Sequence, residues 1–432
     1  MSGRRPWAAI GLAIGLPIGL VIALGGCAAG MPVPPPASAP LHYLGLQELP
    51  AGTQVQGQRV GGLSALDLDP VSGCFVALSD DGGRHGPVRL FVLALDLTRF
   101  HRAAEPGADG VRMLGVTRLV RPDGSAYGRG EVDPEGLRVD ARRARLLWSD
   151  EGGRQAGALR PPVVRAATRD GRESGRLPLP QAFEPGPGRG ARDNFGFEAL
   201  ALTPDGAQLI VGVENALEQD DATAAVGRGS RVRLIRHDAS SGAVLAQHVY
   251  EVDPLPWPPL LPSLPATNGL SELLALDAMH LIALERAFAA GSAVPGAPAT
   301  GFGARLYLVD LSAADDVSAL DSLRGRTVTP ARKTLLLDLT RLRQDDGSRV
   351  ALDNLEGLSW GPWHDGRPTL VLVSDDNFSG RQVTQFVALA ITGPLPGGVT
   401  AVPPPSAPAC DPQAAPPHAG RADASQRISP SR

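Results

Sequence analysis

Residues 353–362 read DNLEGLSWGP and residues 369–377 read TLVLVSDDN. The first piece is a short strand marked by glutamate and glycine. The second is an apolar run that ends in Asp375-Asp376. The same pair occurs four more times. It reads GGLSALDLDP with CFVALSDDGG from Gly61, and DPEGLRVD with RLLWSDEGG from Asp133. It reads NFGFEALALTPDG with QLIVGVENAL from Asn194, and NGLSELLALD with HLIALERAF from Asn268. Such self-similarity marks a repeat architecture. It also puts carboxylates at corresponding places in successive repeats.

Each copy continues into further strand-like runs. RLFVLALD and VRMLGVTRLV follow the first, and VVRAATRD and SGRLPLP the second. RVRLIRHD and AVLAQHVYEVD follow the third, and RLYLVDL and KTLLLDL the fourth. Val, Leu and Ile runs bounded by Gly, Pro and Asp-Gly turns are strand signals. Four short strands per unit predict an all-β fold, a β-propeller of four-stranded blades. The fifth unit supplies only three strands, the last being TQFVALAI at 384–391. The stretch His42–Leu49 is the expected fourth, which would close the ring and remove its open edges. This count gives five blades. A degenerate sixth between Gly291 and Leu352 is the alternative.

The ends read differently. Arg4 and Arg5 precede an apolar run from Trp7 to Leu24, and the run ends in Leu24-Gly25-Gly26-Cys27. Residues 1–27 read as an export signal, and Leu-Gly-Gly-Cys resembles a bacterial lipobox. That resemblance implies lipidation at Cys27 and a membrane-held, exported protein, on the periplasmic side of an outer membrane or at the cell surface. An uncleaved anchor is the alternative. Residues 28–40 are a proline-rich spacer. Residues 41–393 form the expected propeller. Residues 394–432 are rich in Pro and Ala, with few large apolar side chains, and are expected to be disordered. An exported chain permits a bridge between the two other cysteines, Cys74 and Cys410; two unrelated thiols is the alternative. Net charge is −4, and Lys333 is the single lysine. No basic stripe with interleaved aromatics occurs, which argues against a nucleic-acid partner.

The chemistry rests on acids. The first strands carry Glu135, Glu198, Glu272 and Glu356, with Ser64 or Ala65 in the first copy. The second strands end in Asp80-Asp81, Asp150-Glu151, Glu214-Asn215, Glu285-Arg286 and Asp375-Asp376. In a propeller these positions converge on the axis, so a carboxylate ring is expected at one mouth. Like charges crowded together raise one another's pKa. Water, arginine or a divalent cation relieves them, and oxygen-only ligands suit Ca2+. Asp80, Asp150, Glu214, Glu285 and Asp375 are the expected metal-facing set. The alternative is that these acids cap turns or pair with Arg84, Arg154, Arg192 or Arg286 as structure alone. No HExxH, CxxC or Gly-x-Ser-x-Gly occurs, which argues against zinc and against a serine hydrolase of the α/β type. His85 is the one histidine beside a motif.

The motifs GGLSALDLDP, SDDGG, DPEGLRVD, WSDEGG, NGLSELLAL, LIALERAF and LVSDDNFS resemble the phytase-like family of exported bacterial propellers, also called esterase-like. The resemblance runs from about Val60 to Ile391. It implies calcium-dependent hydrolysis of phosphate or other esters of a small molecule. Glu135, Glu198, Glu272 and Glu356 are then the candidate catalytic acids, with Arg286 or Arg154 as the clamp on the substrate oxygens. Two rival expectations stand beside it: a non-catalytic propeller with a structural cation, and a carboxylic esterase or lactonase.

Overall fold

The computed structural model describes residues 40–155, 158–401 and 408–415. Five four-stranded antiparallel sheets are present among them. Their innermost strands are Leu63–Leu68, Pro134–Asp140, Phe197–Leu202, Ala266–Ala275 and Asn354–His364. These strands touch in cyclic order, the fifth against the first, so the sheets form a five-bladed propeller. The stretch 291–352 supplies the third and fourth strands of the fourth blade, Phe302–Asp310 and Arg332–Asp338, and not a sixth blade.

The ring closes through the N-terminal strand. Leu41–Glu48 pairs antiparallel with Gln385–Ile391, from Leu41 opposite Ile391 to Glu48 opposite Gln385. The apolar runs are continuous because a blade is covered on both faces. Along a strand successive side chains point to opposite faces. Leu370 and Leu372 accordingly pack with Ile282 and Leu306 of the fourth blade. Val371 and Val373 pack with Phe75 and Phe91 of the first.

Every innermost strand carries a β-bulge. The register breaks at Leu63/Ala65, Pro134/Leu137, Phe197/Ala199, Leu270/Glu272 and Leu355/Gly357. A bulge re-aims a side chain. The small residue after it is a packing need, because the strands converge there. A Cβ on Gly136 would sit 2.6 Å from the Glu198 carbonyl oxygen, and one on Gly357 2.7 Å from Val373.

The axis is plugged below the bulges. Arg138 donates to the carbonyls of Leu66, Leu137, Leu273 and Leu358, which belong to four different blades. It also pairs with Glu272 at 3.1 Å.

The segment after the last strand departs from the expected disorder at two places. Leu395 is buried in the core. Cys410 is disulfide-bonded to Cys74, and Ala415 is buried beside that bond. Apolar contacts, few as they are, hold these residues against the blades.

Candidate active site

The innermost strands start at one face of the ring, where a cavity of about 580 Å³ opens. Asp80, Glu135, Glu198, Glu356, Asp375 and Arg286 line it. The bulges place three of these acids. Glu135, Glu198 and Glu356 occupy the bulge positions of the second, third and fifth blades. Ser64 and Ser271 hold the same position in the first and fourth.

Glu272 therefore belongs elsewhere. It stands in the column of the small residues Ala65, Gly136, Ala199 and Gly357, one residue past the bulge. Side chains alternate across a strand, so that single step turns it away from the mouth. Its carboxylate accepts from the backbone N–H groups of Leu200 and Leu273 and meets Arg138 in the axial plug. Burial pushes the Glu272 carboxyl up to about 8, while Arg138 and those N–H donors pull it down.

The acidic pairs that end the second strands divide in the same way. Asp80, Glu214 and Asp375 turn toward the axis, but Asp150 and Glu285 do not. Asp150 is bound by Arg165 at 2.7 Å and by the N–H groups of Asp133 and Gly152. Glu285 accepts from Tyr250, Asn268 and Lys333. In those two blades the next residue, Glu151 or Arg286, turns inward. This change of parity turns Asp150 and Glu285, expected to face a metal, onto Arg165 and Lys333 instead. Arg154 lies outside the described side chains, and Cys27 outside the described residues.

Glu151 is the residue that motif reading missed. One oxygen each from Glu135, Glu151 and Glu198 lies within 4.8 Å of the other two, and all three residues are buried. No motif letter distinguishes Glu151 from Asp150. The sign was the pair itself, which offers an acid of either parity.

The cluster is strongly frustrated as a set of charges. Burial, followed by the charges of Glu198, Asp80 and Glu151, holds Glu135 well above the carboxylate range. Burial, then Glu151 and Glu214, does the same to Glu198. Burial and the neighbouring Asp80 raise Asp375. Glu151 is pushed up to about 8 by burial and by Glu214 and Asp133. Glu214 reaches about 7 through burial, against the pull of Arg286. Glu356 is raised by burial, opposed by Arg286 and by the Asn354 amide.

Arg286 is a largely buried cation of the mouth. It meets Glu356 at 2.9 Å and Glu214 at 3.5 Å, and four surrounding carboxylates outweigh the burial that would discharge it. Arg84 sits half-exposed at the rim, 3.5 Å from Asp133. Arg192 instead donates to the carbonyls of Ala216 and Asp221. His85 lines the rim and stacks on Phe378, with ring centroids 4.1 Å apart.

The arrangement suits a hard divalent cation. Calcium sits about 2.3–2.6 Å from its oxygens, so ligand oxygens of one ion lie up to about 5 Å apart. The three converging glutamates meet that limit. Glu214 Oε1, beside them, is buried and makes no hydrogen bond among the described residues, with the Arg286 guanidinium 3.5 Å away.

Comparison with known proteins agrees with the motif reading. The phytase-like family, described as "esterase-like activity of phytase", matches residues 58–378. No curated protein matches this chain. Among solved structures the chain is similar to the Dos1 propeller, at 8% identity and a TM-score of 0.32, over 77% of this chain and 68% of that one. It is also similar to XC5397 from Xanthomonas campestris, titled a gluconolactonase, at 13% identity and a TM-score of 0.31, over 81% and 89%.

Proposed function

The chain belongs to the phytase-like family, and on that premise we propose that it hydrolyses phosphate esters with calcium held at the acidic mouth. The observation that carries this reading is the convergence of Glu135, Glu151 and Glu198. Buried carboxylates that raise one another's pKa need either protons or a cation. These three would hold the ion, with Glu214 beside them.

A bound calcium neutralises ester oxygens and lowers the pKa of water at the site. The chain's own groups do the rest. Arg286, kept charged by Glu214 and Glu356, faces the cavity and offsets negative charge that develops on the substrate. Glu356 holds Arg286 in place through the 2.9 Å contact and is itself held by Asn354. Asp375, which lines the cavity beside Asp80, is the proton acceptor for the attacking water. Glu272, Asp150 and Glu285 take no part.

The test is hydrolysis of a phosphomonoester and of a carboxylic ester by the full chain, with calcium and with chelator. Calcium-dependent phosphate release is expected. Cleavage of the carboxylic ester alone would move the activity to carbon esters. No turnover of either, with a melting temperature that still falls on chelation, would leave a structural cation and a binding role.

The same reading places the protein outside the cytoplasm, tethered by lipid on Cys27. The Leu-Gly-Gly-Cys segment supports this, as does the Cys74–Cys410 disulfide, since such bonds persist in oxidising compartments. Cys27→Ser should release the protein from the membrane fraction.

A further inference from the structure

One blade overhangs the mouth. Ser79, Ser149, Val213, Leu284 and Ser374 hold the same place just before the acidic pairs. In four blades the second strand stops there or one residue later, at Ser79, Asp150, Val213 and Asp375. In the fourth blade it continues to Ala289, five residues past Leu284. The overhang is roughly 13–16 Å at about 3.3 Å per residue.

The neighbouring strands extend with it. Thr267, Phe288 and Phe302 form one row across three strands. Residues two apart share a face. The strand that offers Arg286 to the acids therefore offers Phe288 one step farther out. All three residues of the row line the cavity. The two phenyl rings lie 4.6 Å apart and are half-buried. The other face of the overhang is not free: Ala287 and Ala289 pack on Leu255 and Trp257. The result is a backed wall that shows aromatic surface to the mouth.

Charge narrows what the wall meets. Asp80, Asp133, Glu135, Glu198, Glu356 and Asp375 line the cavity against the cations Arg84 and Arg286. A substrate with many anionic groups would meet like charge beyond the ion. A single anionic group with an uncharged ring would not.

We propose that this wall binds the alcohol part of the substrate, so that the preferred ester carries one anionic group and a ring, aromatic or sugar, with a flat apolar face. Stacking of such a face on phenyl rings is favourable. The proposal rests on the reading of the mouth as an ester-hydrolysing site.

The test uses the full chain with calcium, on phenyl phosphate, a hexose monophosphate and ethyl phosphate. The readout is the ratio of kcat/KM for each ring ester to that for ethyl phosphate. The Phe288→Ala/Phe302→Ala double variant should lower that ratio about ten-fold. Loss confined to phenyl phosphate assigns an aromatic ring, and loss confined to the hexose ester assigns a sugar. An unchanged ratio in a variant that melts like the parent overturns the proposal. If the double variant does not fold, Phe302→Leu gives the same readout. If no phosphate ester is turned over, the functional reading fails by itself. The wall is then tested by calorimetric binding of phenylphosphonate against ethylphosphonate. A preference lost in the variant supports it, and no preference overturns it.

Discussion

Two sets of buried carboxylates lie along the same innermost strands, and their surroundings differ. In the plug, Glu272 has Arg138 at 3.1 Å and two backbone N–H donors. At the mouth, the charges that act most strongly on Glu135 are those of Glu198, Asp80 and Glu151, all of its own sign. An acid given its own cation and donors serves the fold. Acids that face chiefly one another are, on the function proposed above, the ones that take a cation from outside. The same contrast separates Asp150 and Glu285, each with a basic partner, from Glu151 and Asp375.

Substitution on each side should break this contrast most visibly. Glu198→Gln should lower calcium-dependent hydrolysis at least about a hundred-fold, on the scale of losing a group that positions a metal. It should not lower the melting temperature of the chelated protein, because it removes a repelling charge. Arg138→Met should do the reverse to stability. It leaves Glu272 and several carbonyls without their donor, a loss of about 3–5 kcal/mol by chemical denaturation. If Glu198→Gln destabilised the chelated protein as much as Arg138→Met, the distinction would be lost.

The pH dependence sharpens it. Glu151 and Glu214 titrate at about 8 and 7 in the fold, above the ordinary glutamate value of 4.5. Between 4.5 and 8 the folded chain thus binds more protons than the unfolded one. Its stability must fall as pH rises through that window. Melting of the chelated protein should drop from pH 5 to pH 8. Excess calcium should offset the drop, and increasingly so at higher pH, since the ion replaces the protons. A chelated protein that gains stability over this range would contradict the assignment.

A smaller effect tests the geometry that aims the acids. Gly357→Ala should cost about 1–3 kcal/mol, the usual range for overpacking, because its Cβ meets Val373 at 2.7 Å and Leu66 N at 3.0 Å. Gly357 has no positive φ, so the loss reads the clash and not backbone strain. An unchanged stability would remove convergence as the reason for Glu-Gly-Leu.

Much of the fold was legible in the letters. The repeated strand pair, the four runs per unit and the spare strand at residues 41–48 record local propensity and burial on both faces, which act residue by residue. Part of the mouth's lining was legible too: Asp80, Glu135, Glu198, Arg286, Glu356 and Asp375 line the cavity, and Glu214 lies against Arg286. Glu272, Asp150 and Glu285 were misplaced by one step of parity. The column of small residues, Ala65, Gly136, Ala199 and Gly357, was the available sign for Glu272, since a glutamate there cannot hold the bulge position that Ser271 takes.

The sequence by itself determined the four-stranded blade and the supply of acids, because these follow from the order of apolar runs and turns; that the stretch 291–352 completes the fourth blade and adds no sixth came from the structure. Tertiary structure alone decided which acid of each pair faces the axis, that Arg138 plugs it, and that one blade overhangs it. A strand's facing depends on where its bulge falls against a neighbour, and a buried charge's role depends on which partners the ring brings to it.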